Sequence, residues 1–347
     1  MNNTAQNLLH WYQAHQRHLP WRSQNPPAYH VLVSEFMLQQ TTVATVLKRF
    51  DSFIAHFPTI LDLATATEAE ILAAWAGLGY YTRARNLHKA ARVIAAEFGG
   101  NIPLVPDVLQ KIPGIGAYTA AAVAAIAGNY PIIPVDANIA RITKRYHGQP
   151  AAEKITPRWL AEKAQQFLID GHAGEIAQAL MDVGSTFCTA KRMDCHSCPL
   201  QSGCRAKGRE KEFLTPIEAV PRTNLYADCF IIENKRGELL TTTMPAKGIY
   251  AGTKAFPLSQ WQAQPVAAIS PPALLANISS NWQIMGEISH VLTHRLLQVR
   301  VLRGYWHQDP PADQQPTEYG WHTPDIIASM PSLMKKIYKI VNLAVNH

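Results

Sequence analysis

The stretch from Lys111 to Arg145, KIPGIGAYTAAAVAAIAGNYPIIPVDANIARITKR, decides the fold of the first part of this chain. A tight Pro-Gly-Ile-Gly turn lies between two segments of helical composition, and the second has almost no polar residue before Gly128. The pattern predicts a hairpin followed by a buried helix. Gly114 and Gly116 permit backbone conformations closed to other residues, and they leave bare amides at the start of the next helix, where phosphate can bind.

Asp136 follows the apolar helix by about eight residues and precedes Ala-Asn-Ile-Ala-Arg. A short polar side chain at this place can cap a third helix, because its oxygen accepts a hydrogen bond from the first amides. The same residue can equally be a catalytic carboxylate. The two interpretations do not exclude each other, since a capping side chain is also well oriented.

Length and composition limit the class of protein. A chain of 347 residues predicts two domains, each able to bury its own core. A hydrophobic fraction of 47% with 16% charged residues is typical of a globular protein and not of a disordered one. The formal net charge of +7 favours a polyanionic partner, although many basic proteins bind no nucleic acid. The N-terminus has no secretory pattern and the longest apolar run cannot span a bilayer, so we expect a soluble intracellular protein with no membrane partner.

Four of the five cysteines are clustered, as Cys188-x6-Cys195-x2-Cys198-x5-Cys204, whereas Cys229 is isolated. In an intracellular chain such clustering predicts a metal site before it predicts disulfides. Four thiolates in one compact loop can hold zinc tetrahedrally or an iron–sulfur cluster. The spacing by itself leaves this choice open.

Two further segments carry candidate functional residues. Glu35 stands among apolar residues at helical spacing, so it lies either near a helix start, where the macrodipole stabilises a carboxylate, or in a cleft. Residues 77–86 form a glycine-hinged loop with two tyrosines and two arginines. Aromatic and guanidinium groups on such a loop suit stacking on bases and contact with phosphates, although they are also common on surfaces.

The secondary-structure signals change once along the chain. Short helices recur up to residue 186, including one helix over residues 46–57 and another over residues 71–75, which follows a capping sequence at residues 65–70. No strand signal comes before residue 220. After a charged connector, residues 225–233 and 238–243 predict a hairpin, residues 296–302 another strand and residues 332–341 a closing helix. We therefore expect an all-helical domain followed by a mixed one.

The motifs together resemble a known family. The cysteine spacing resembles the cluster loop of the endonuclease III superfamily of DNA glycosylases, and residues 112–120 and 134–138 resemble its helix-hairpin-helix and its catalytic aspartate segment. Three motifs narrow the resemblance to the MutY family, adenine DNA glycosylases that act on adenine opposite 8-oxoguanine: residues 19–22 (LPWR), 34–41 (SEFMLQQT) and 77–87 (GLGYYTRARNL). The resemblance covers residues 5–205 closely and the remainder loosely.

This resemblance implies a fold and domain boundaries. It implies an all-α helix-hairpin-helix glycosylase domain over residues 1–206 with the cluster loop at 188–204, and a linker over 207–222. An α+β MutT-like (Nudix-fold) domain that recognises 8-oxoguanine would follow over residues 223–347. No acidic Nudix box with its run of glutamates is present, so nucleotide hydrolysis is not expected.

The resemblance also implies roles in catalysis. Cleavage of a purine N-glycosidic bond needs an acid for the leaving base and an anion for the oxocarbenium-like sugar, and Glu35 and Asp136 are the two carboxylates. Bifunctional members carry a lysine after the hairpin that forms a Schiff base, and here Tyr118 takes its place. We therefore expect a monofunctional enzyme, with Tyr118 near the sugar and Asn138 hydrogen-bonded beside Asp136. Ala137 departs from the glycine that is usual in the family.

Further implied roles concern DNA and the cofactor. Gln39, Gln40 and Tyr80 resemble the residues that enter the duplex at the lesion, and we call them the wedge residues. The four cysteines would hold one structural [4Fe-4S] cluster that presents a basic loop to DNA; that loop would include Lys191 and Arg192, which a solvated surface pair would equally explain. Thr293 and His294 are candidates for contact with 8-oxoguanine, although Leu292 replaces an aromatic residue of the family.

We therefore expect a monomeric adenine glycosylase of base excision repair that binds double-stranded DNA with adenine opposite 8-oxoguanine or guanine, in the cytoplasm and associated with a bacterial-type nucleoid. One alternative is a related thymine glycosylase for G·T mismatches, which has no need of an 8-oxoguanine reader. Another is an inactive DNA-binding iron–sulfur protein, which would need neither Glu35 nor Asp136.

Overall fold

The computed structural model describes residues 3–23, 25–214, 221–245, 247–269, 271–272, 275, 282–292, 294–306 and 319–345. The chain divides into two compact units, one formed by Met1–Ala66 with Thr82–Glu218 and the other by Thr67–Tyr81 with Ala219–His347. Among the described residues, no helix is long and apolar enough to cross a membrane.

The first unit is built from helices. Their bounds are α1 Asn3–His15, α2 Ala28–Leu38, α3 Val43–Leu47, α4 Phe50–His56, α5 Ile60–Thr65, α7 Thr82–Phe98, α8 Pro106–Leu109, α9 Ala117–Gly128, α10 Ala137–Tyr146, α11 Pro157–Ala164 and α12 Ala173–Thr186. Two 3₁₀ turns, Gln165–Phe167 and Glu210–Phe213, complete it. The predicted single helix over residues 46–57 is wrong, because the chain leaves helical geometry at Arg49, whose φ is −127°. The buried positions Val46, Phe50 and Phe53 keep helical spacing across this break, which explains the error.

The hairpin of the opening stretch is confirmed. It joins α8 to α9, and Gly114 within it has a φ of +91°. A Cβ atom at Gly114 would lie 2.7 Å from the backbone oxygen of Asn86, so the turn requires glycine on two counts. Helix α9 is buried from Thr119 to Ala125 and packs against α2 and α12. The predicted buried helix is therefore the centre of this unit.

Asp136 is the N-cap residue of α10, which confirms one of the two roles that the sequence left open for it. The Asp136 side chain accepts a hydrogen bond of 2.7 Å from the backbone amide of Ile139, which makes it the N-cap. Ile139 and Ile142 are buried against residues of α12, including Val183. Packing of α10 on α12 thus fixes the position of its first turn.

The second unit contains α6 (Glu68–Ala74) and a mixed sheet. Among its described residues six strands pair, and their bounds are β1 Thr223–Asn234, β2 Leu239–Thr243, β3 Lys254–Ala255, β4 Gln283–Leu292, β5 Arg295–Trp306 and β6 Tyr319–His322. The order is β3-β2-β1-β5-β4, with β6 also paired to β2. Strands β1 and β5 run parallel and the other pairs are antiparallel.

The sheet of the second unit is covered by helix. Helix α13 (Ser332–Val345) packs on β4, and α6 packs on the 3₁₀ helix Pro324–Ser329. A capping box between Thr67 and Glu70 starts α6, as the sequence predicts. Cys229 lies fully buried in the core beneath the sheet. The expected helical unit followed by an α+β unit is confirmed, although the α+β unit also takes Thr67–Tyr81 from the earlier part of the chain.

Candidate active site

Glu35 lies in the last turn of α2 and is only 6% exposed. The helix-start alternative is therefore wrong, and Glu35 is buried instead at the other end of the helix. At this end of a helix the macrodipole does not favour a carboxylate, and the surroundings are apolar. The pKa of Glu35 is raised to about 7, chiefly by burial and also by the charge of Asp136, against the opposing effects of a hydrogen bond from Tyr118 and the charge of Arg22. Glu35 can therefore carry a proton near neutral pH.

Tyr118 connects the hairpin to this carboxyl group. It stands in the first turn of α9, directly after the glycine turn, and its side chain is hydrogen-bonded to Glu35. Burial and the nearby charges of Glu35 and Asp136 hold the pKa of Tyr118 well above its usual value. Tyr118 is therefore a neutral donor between two carboxyl groups.

Asp136 is held by two donors. The amide of Ile139 binds Oδ1 at 2.7 Å, and Nδ2 of Asn138 binds Oδ2 at 3.0 Å. A carboxylate with one donor on each oxygen has a fixed orientation. The structure thus places Asn138 beside Asp136, as expected from sequence, and places both near Glu35 and Tyr118.

Arg141 extends this arrangement away from Asp136. Its Nη2 donates to Oδ1 of Asn138 at 2.8 Å and to the carbonyl of Gly184 at 2.7 Å, and its Nε donates to the carbonyl of Cys188 at 2.8 Å. Gly184 has room for no side chain, because a Cβ there would lie 2.6 Å from Cβ of Asn138. The first cysteine of the clustered set is therefore connected to Asp136 through Arg141 and Asn138.

The wedge residues occupy two strained turns, one in each unit. Gln39 and Gln40 directly follow α2; Gln40 is exposed with a φ of 54°, and Nε2 of Gln39 donates to Oγ1 of Thr119 at 3.3 Å. Tyr80, in the second unit, is 44% exposed with a φ of 48°. Non-glycine residues rarely adopt such angles, and strained, exposed turns are common at functional sites.

The cysteine loop follows α12. An isolated bridge pairs Cys188 with Met193, and Thr189 binds the carbonyl of Arg192 through its amide at 2.9 Å. Lys191 and Arg192 are exposed in the turn that these bonds close. Gly114 and Gly116 are exposed as well, the latter as the N-cap of α9. The turn leaves both basic side chains accessible to a polyanion.

The four clustered thiols are free and lie close together. The charges of Cys188 and Cys204 raise the pKa of Cys198, and those of Cys198 and Cys204 raise the pKa of Cys195, after the larger effects of burial and, for Cys195, of Glu210. Nη1 of Arg145 donates to Sγ of Cys188 at 3.3 Å. Four neighbouring free cysteines with an arginine at one sulfur form a donor set that fits a thiolate-bound cluster.

Thiolates are ligands of both tetrahedral zinc and iron–sulfur clusters, so these four residues fit either group by their chemistry. Within the described ranges, no three histidine, cysteine, aspartate or glutamate side chains are placed to hold one metal ion.

The residues expected to read 8-oxoguanine lie at the β4–β5 connection. His294 is exposed in this connection, next to Arg295, and Leu292 ends β4. Thr293 lies outside the described residues. Leu292 packs against the core of the second unit, so the residue that replaces the family's aromatic points partly inward.

Four arginines and one aspartate support the site through contacts that sequence reasoning did not identify. Asp182 is almost fully buried and binds Arg17 and also Arg22, whose Nη1 lies 2.7 Å from Oδ2. Arg83 donates to the end of α2, and Arg141 reaches the cysteine loop. Arg22 stood in a quoted motif, but no spacing along the sequence indicates that it faces Glu35. These partners come from distant elements, so only the assembled fold identifies them.

Comparison with known families places this geometry in a class. The family model described as the HhH-GPD superfamily base excision DNA repair protein matches residues 33–167. Among solved structures, a thermostable thymine-DNA glycosylase superposes with a TM-score of 0.54 at 26% identity, over 59% of this chain and 95% of that one. A non-covalent endonuclease III–DNA complex superposes with a TM-score of 0.51 at 23% identity, over 60% of this chain and 96% of that one, which shows the shared fold.

Sequence relatives identify the family within that class. The adenine DNA glycosylase of Homo sapiens is 30% identical, over 96% of this chain and 73% of that protein. Those of Mycolicibacterium smegmatis and Buchnera aphidicola are 44% and 31% identical, over 57% and 85% of this chain and 67% and 84% of those proteins. The chain belongs to the adenine DNA glycosylase family. Its activity is accordingly that of a DNA N-glycosylase, a hydrolase of base excision repair.

Proposed function

We propose that this chain excises adenine paired with 8-oxoguanine or guanine in double-stranded DNA, and that it does so by hydrolysis without lyase activity. The observation that carries the proposal is the buried Glu35, hydrogen-bonded to Tyr118 and close enough to Asp136 for their charges to interact. The assignments of single residues below follow from this arrangement together with the family.

Glu35 is the general acid of this mechanism. Adenine is a poor leaving group as an anion, so a proton delivered to the base in the transition state lowers the barrier. A carboxyl group with a pKa of about 7 still holds its proton in half of the molecules at neutral pH. Pairs of carboxyl groups in different environments divide acid and anion roles in other glycoside-cleaving enzymes in the same way.

Asp136 is the anion that stabilises the oxocarbenium-like sugar. Two hydrogen bonds fix its orientation, and its place at the start of α10 puts it at the positive end of a helix dipole. Preorganised charge of this kind needs no rearrangement as positive charge develops. Water then completes the reaction at the anomeric carbon.

Tyr118 accounts for the absence of a lyase step. A phenol cannot form the imine that a lysine forms with the opened sugar. Tyr118 instead orients Glu35 through their hydrogen bond. The enzyme then releases the free base and leaves an abasic site whose strand is intact.

DNA binding would use features from both units. Gly114 and Gly116 expose the hairpin amides to a phosphate, Lys191 and Arg192 supply a basic loop, and the wedge residues enter the stack beside the extruded adenine. We expect the protein to act as a monomer in the compartment that holds the DNA. The domain boundaries predicted from sequence remain part of this proposal.

The four cysteines would hold one [4Fe-4S] cluster. When bound, the cluster supplies a rigid anchor for the loop rather than a reacting group, and Arg145 would neutralise part of the thiolate charge at Cys188. The chain from Cys188 through Arg141 to Asn138 then gives Asp136 a fixed support. The α+β unit would read 8-oxoguanine through His294 and Thr293 in a MutT-like domain.

A single-turnover assay tests the proposal. Duplexes carry adenine opposite 8-oxoguanine, adenine opposite guanine, or thymine opposite guanine, and the product is scored as free base and as alkali-labile strand. We expect adenine release from the first two duplexes and no strand cleavage without alkali. Excision of thymine alone would favour the G·T enzyme, and no excision from any duplex would favour the inactive DNA-binding protein.

A further inference from the structure

Arg83 is a buried arginine that none of the roles above uses. It stands in the first turn of α7 and is 7% exposed. Its Nη1 donates to the backbone carbonyls of Phe36 and Met37, both at 2.8 Å. These carbonyls lie in the last turn of α2, where a helix has no partners of its own for its acceptors. Arg83 therefore caps the helix end that carries Glu35.

The other nitrogen of the same guanidinium reaches past the wedge residues. Nη2 of Arg83 donates to Oγ1 of Thr41 at 2.9 Å. Between the two attachment points lie Gln39 and Gln40, and Gln40 has a positive φ of 54°. The Arg83 side chain therefore binds the residues that precede the strained turn and the residue that follows it.

The turn is also attached to the hairpin helix. Nε2 of Gln39 donates to Oγ1 of Thr119, the residue directly after Tyr118. Glu35 in turn is hydrogen-bonded to Tyr118. Glu35, Tyr118 and the turn at Gln40 therefore belong to one hydrogen-bond network. Arg83 binds this network at the C-terminal end of α2.

Arginine suits this place and lysine does not. A planar guanidinium presents five donors in a fixed fork, so it can span two carbonyls and a hydroxyl at once. A lysine ammonium carries its three donors on a single atom at the end of a flexible stem. Loss of the fork leaves buried carbonyls unsatisfied and frees the turn.

We propose that Arg83 is a positioning residue that joins the end of α2 and the Gln39–Thr41 turn into one rigid piece, so that entry of Gln40 into the duplex and alignment of Glu35 depend on the same side chain. The inference rests on the proposed function, because it assumes that Glu35 is the acid and Gln40 a wedge residue. It adds a coupling between extrusion of the base and its protonation.

The test compares Arg83→Lys, Gln40→Ala and the double variant. Single-turnover excision from an adenine·8-oxoguanine duplex gives the rate, 2-aminopurine fluorescence at the target position reports extrusion, and titration with an abasic-site duplex gives affinity. We expect Arg83→Lys to slow excision roughly 10- to 100-fold, since small misplacement of reacting groups has costs of that size. Affinity should change less than the rate. The effect of Arg83→Lys should shrink in the Gln40→Ala background, because residues coupled through one backbone turn are not additive.

Controls separate this coupling from loss of folding. Arg92→Lys changes an exposed arginine on the same helix and should leave the rate unchanged. If Arg83→Lys does not fold, Thr41→Val removes the acceptor of Nη2 together with the hydrogen bond from Thr41 to the carbonyl of Gln39, and it leaves both carbonyl contacts of Arg83 in place. The same rate, fluorescence and cycle measurements are then made on it. Equal rates for wild type and the folded variant, or additive effects with Gln40→Ala, would overturn the inference. A wild-type protein without adenine excision would instead overturn the proposed function.

Discussion

Asn138 donates a 3.0 Å hydrogen bond to the carboxylate of Asp136, two residues earlier in the same helix turn. The oxygen of the same side-chain amide accepts a hydrogen bond from Arg141, so the amide cannot flip without losing both hydrogen bonds. The orientation of Asp136 is therefore set by a residue that need not touch the substrate.

The substitution Gly184→Ala, in helix α12, should displace Asn138 and so disrupt its hydrogen bond to Asp136. The new Cβ would lie 2.6 Å from Cβ of Asn138 and 3.2 Å from its Cγ, so Asn138 has to move. We expect single-turnover excision to fall by roughly 100-fold, while duplex affinity changes little. Ser185→Ala, a change at the exposed neighbouring position, is the matched control. An active Gly184→Ala enzyme would mean that Asp136 does not depend on Asn138.

Glu35→Gln should nearly abolish excision. The amide keeps the size of the side chain but has no proton to deliver, and loss of a general acid has costs of about 10²- to 10⁴-fold. The measurement is the single-turnover rate with a mismatched duplex, alongside affinity for an abasic-site duplex, which should be retained. A Glu35→Gln enzyme as fast as wild type would remove Glu35 from the acid role.

Glu35 should also give the protein a pH-dependent stability. Its pKa is raised from 4.5 to about 7 on folding, so the folded state binds the proton more tightly than the unfolded state. The stabilisation is therefore complete below pH 4.5 and is lost as pH rises through 7. A shift of this size corresponds to about 3 kcal/mol at most. Denaturant unfolding of wild type and Glu35→Gln between pH 5 and pH 8.5 measures it, and the variant should lack this component.

Tyr118→Phe should move the basic limb of the rate profile to higher pH. The hydrogen bond from Tyr118 lowers the pKa of Glu35, whereas burial raises it, so removal of the bond leaves the larger effect unopposed. The single-turnover rate of wild type should decline above pH 7, in line with the pKa of about 7. For Tyr118→Phe the decline should begin later. An unchanged profile would show that the hydrogen bond does not act on the catalytic proton.

Tyr118→Lys should create a covalent intermediate that the wild type cannot form. A lysine at this place would face Asp136 and the opened sugar, and borohydride reduction would trap its imine on DNA. Trapped complex on a denaturing gel is the readout, with Tyr118→Phe as the variant that should remain untrapped. Efficient trapping of the wild type would contradict the monofunctional assignment.

Serine in place of Cys198 should lower iron content and weaken DNA binding. We expect wild-type protein to contain four irons per chain with a broad visible absorbance, and the variant to lose most of both. Affinity for a duplex should fall roughly tenfold, because loss of ligand support commonly costs that much. Cys229→Ser is the control, since that buried thiol lies in the second unit. A colourless wild-type protein that contains zinc would contradict the cluster.

The sequence predicts those features that local patterns determine. The apolar run before Gly128 predicted α9, and the short polar residue Asp136 predicted the start of α10, because both depend on neighbours along the chain. Thr67 with Glu70 predicted the start of α6 for the same reason. The family followed from motif spacing and is confirmed by the relatives.

Features that depend on distant partners could not be predicted. The sequence around Glu35 fits either end of a helix. Its position in the last turn of α2 follows only from the bounds of that helix, which begins after Pro27 and ends at Leu38. Arg83 was assigned to the predicted loop over residues 77–86 as a possible phosphate contact, whereas it lies buried in the first turn of α7, and only the packing of α2 shows its partners. Strand β4 was not predicted, because apolar residues also occupy exposed positions in it, among them Ile284 and Val291, and because it contains a bulge near Gly286.

The assignment of Thr67–Tyr81 to the second unit has a consequence for how the protein can be divided. Helix α6 packs on the 3₁₀ helix Pro324–Ser329, which comes near the end of the chain. A fragment that stops at the predicted linker keeps Glu35 and Asp136 but leaves α6, and the turn of Tyr80 behind it, without this support. Cutting the chain between its two sequence-defined domains therefore does more than remove the C-terminal sheet, because it also uncovers α6 and the segment that leads to Tyr80, one of the proposed wedge residues.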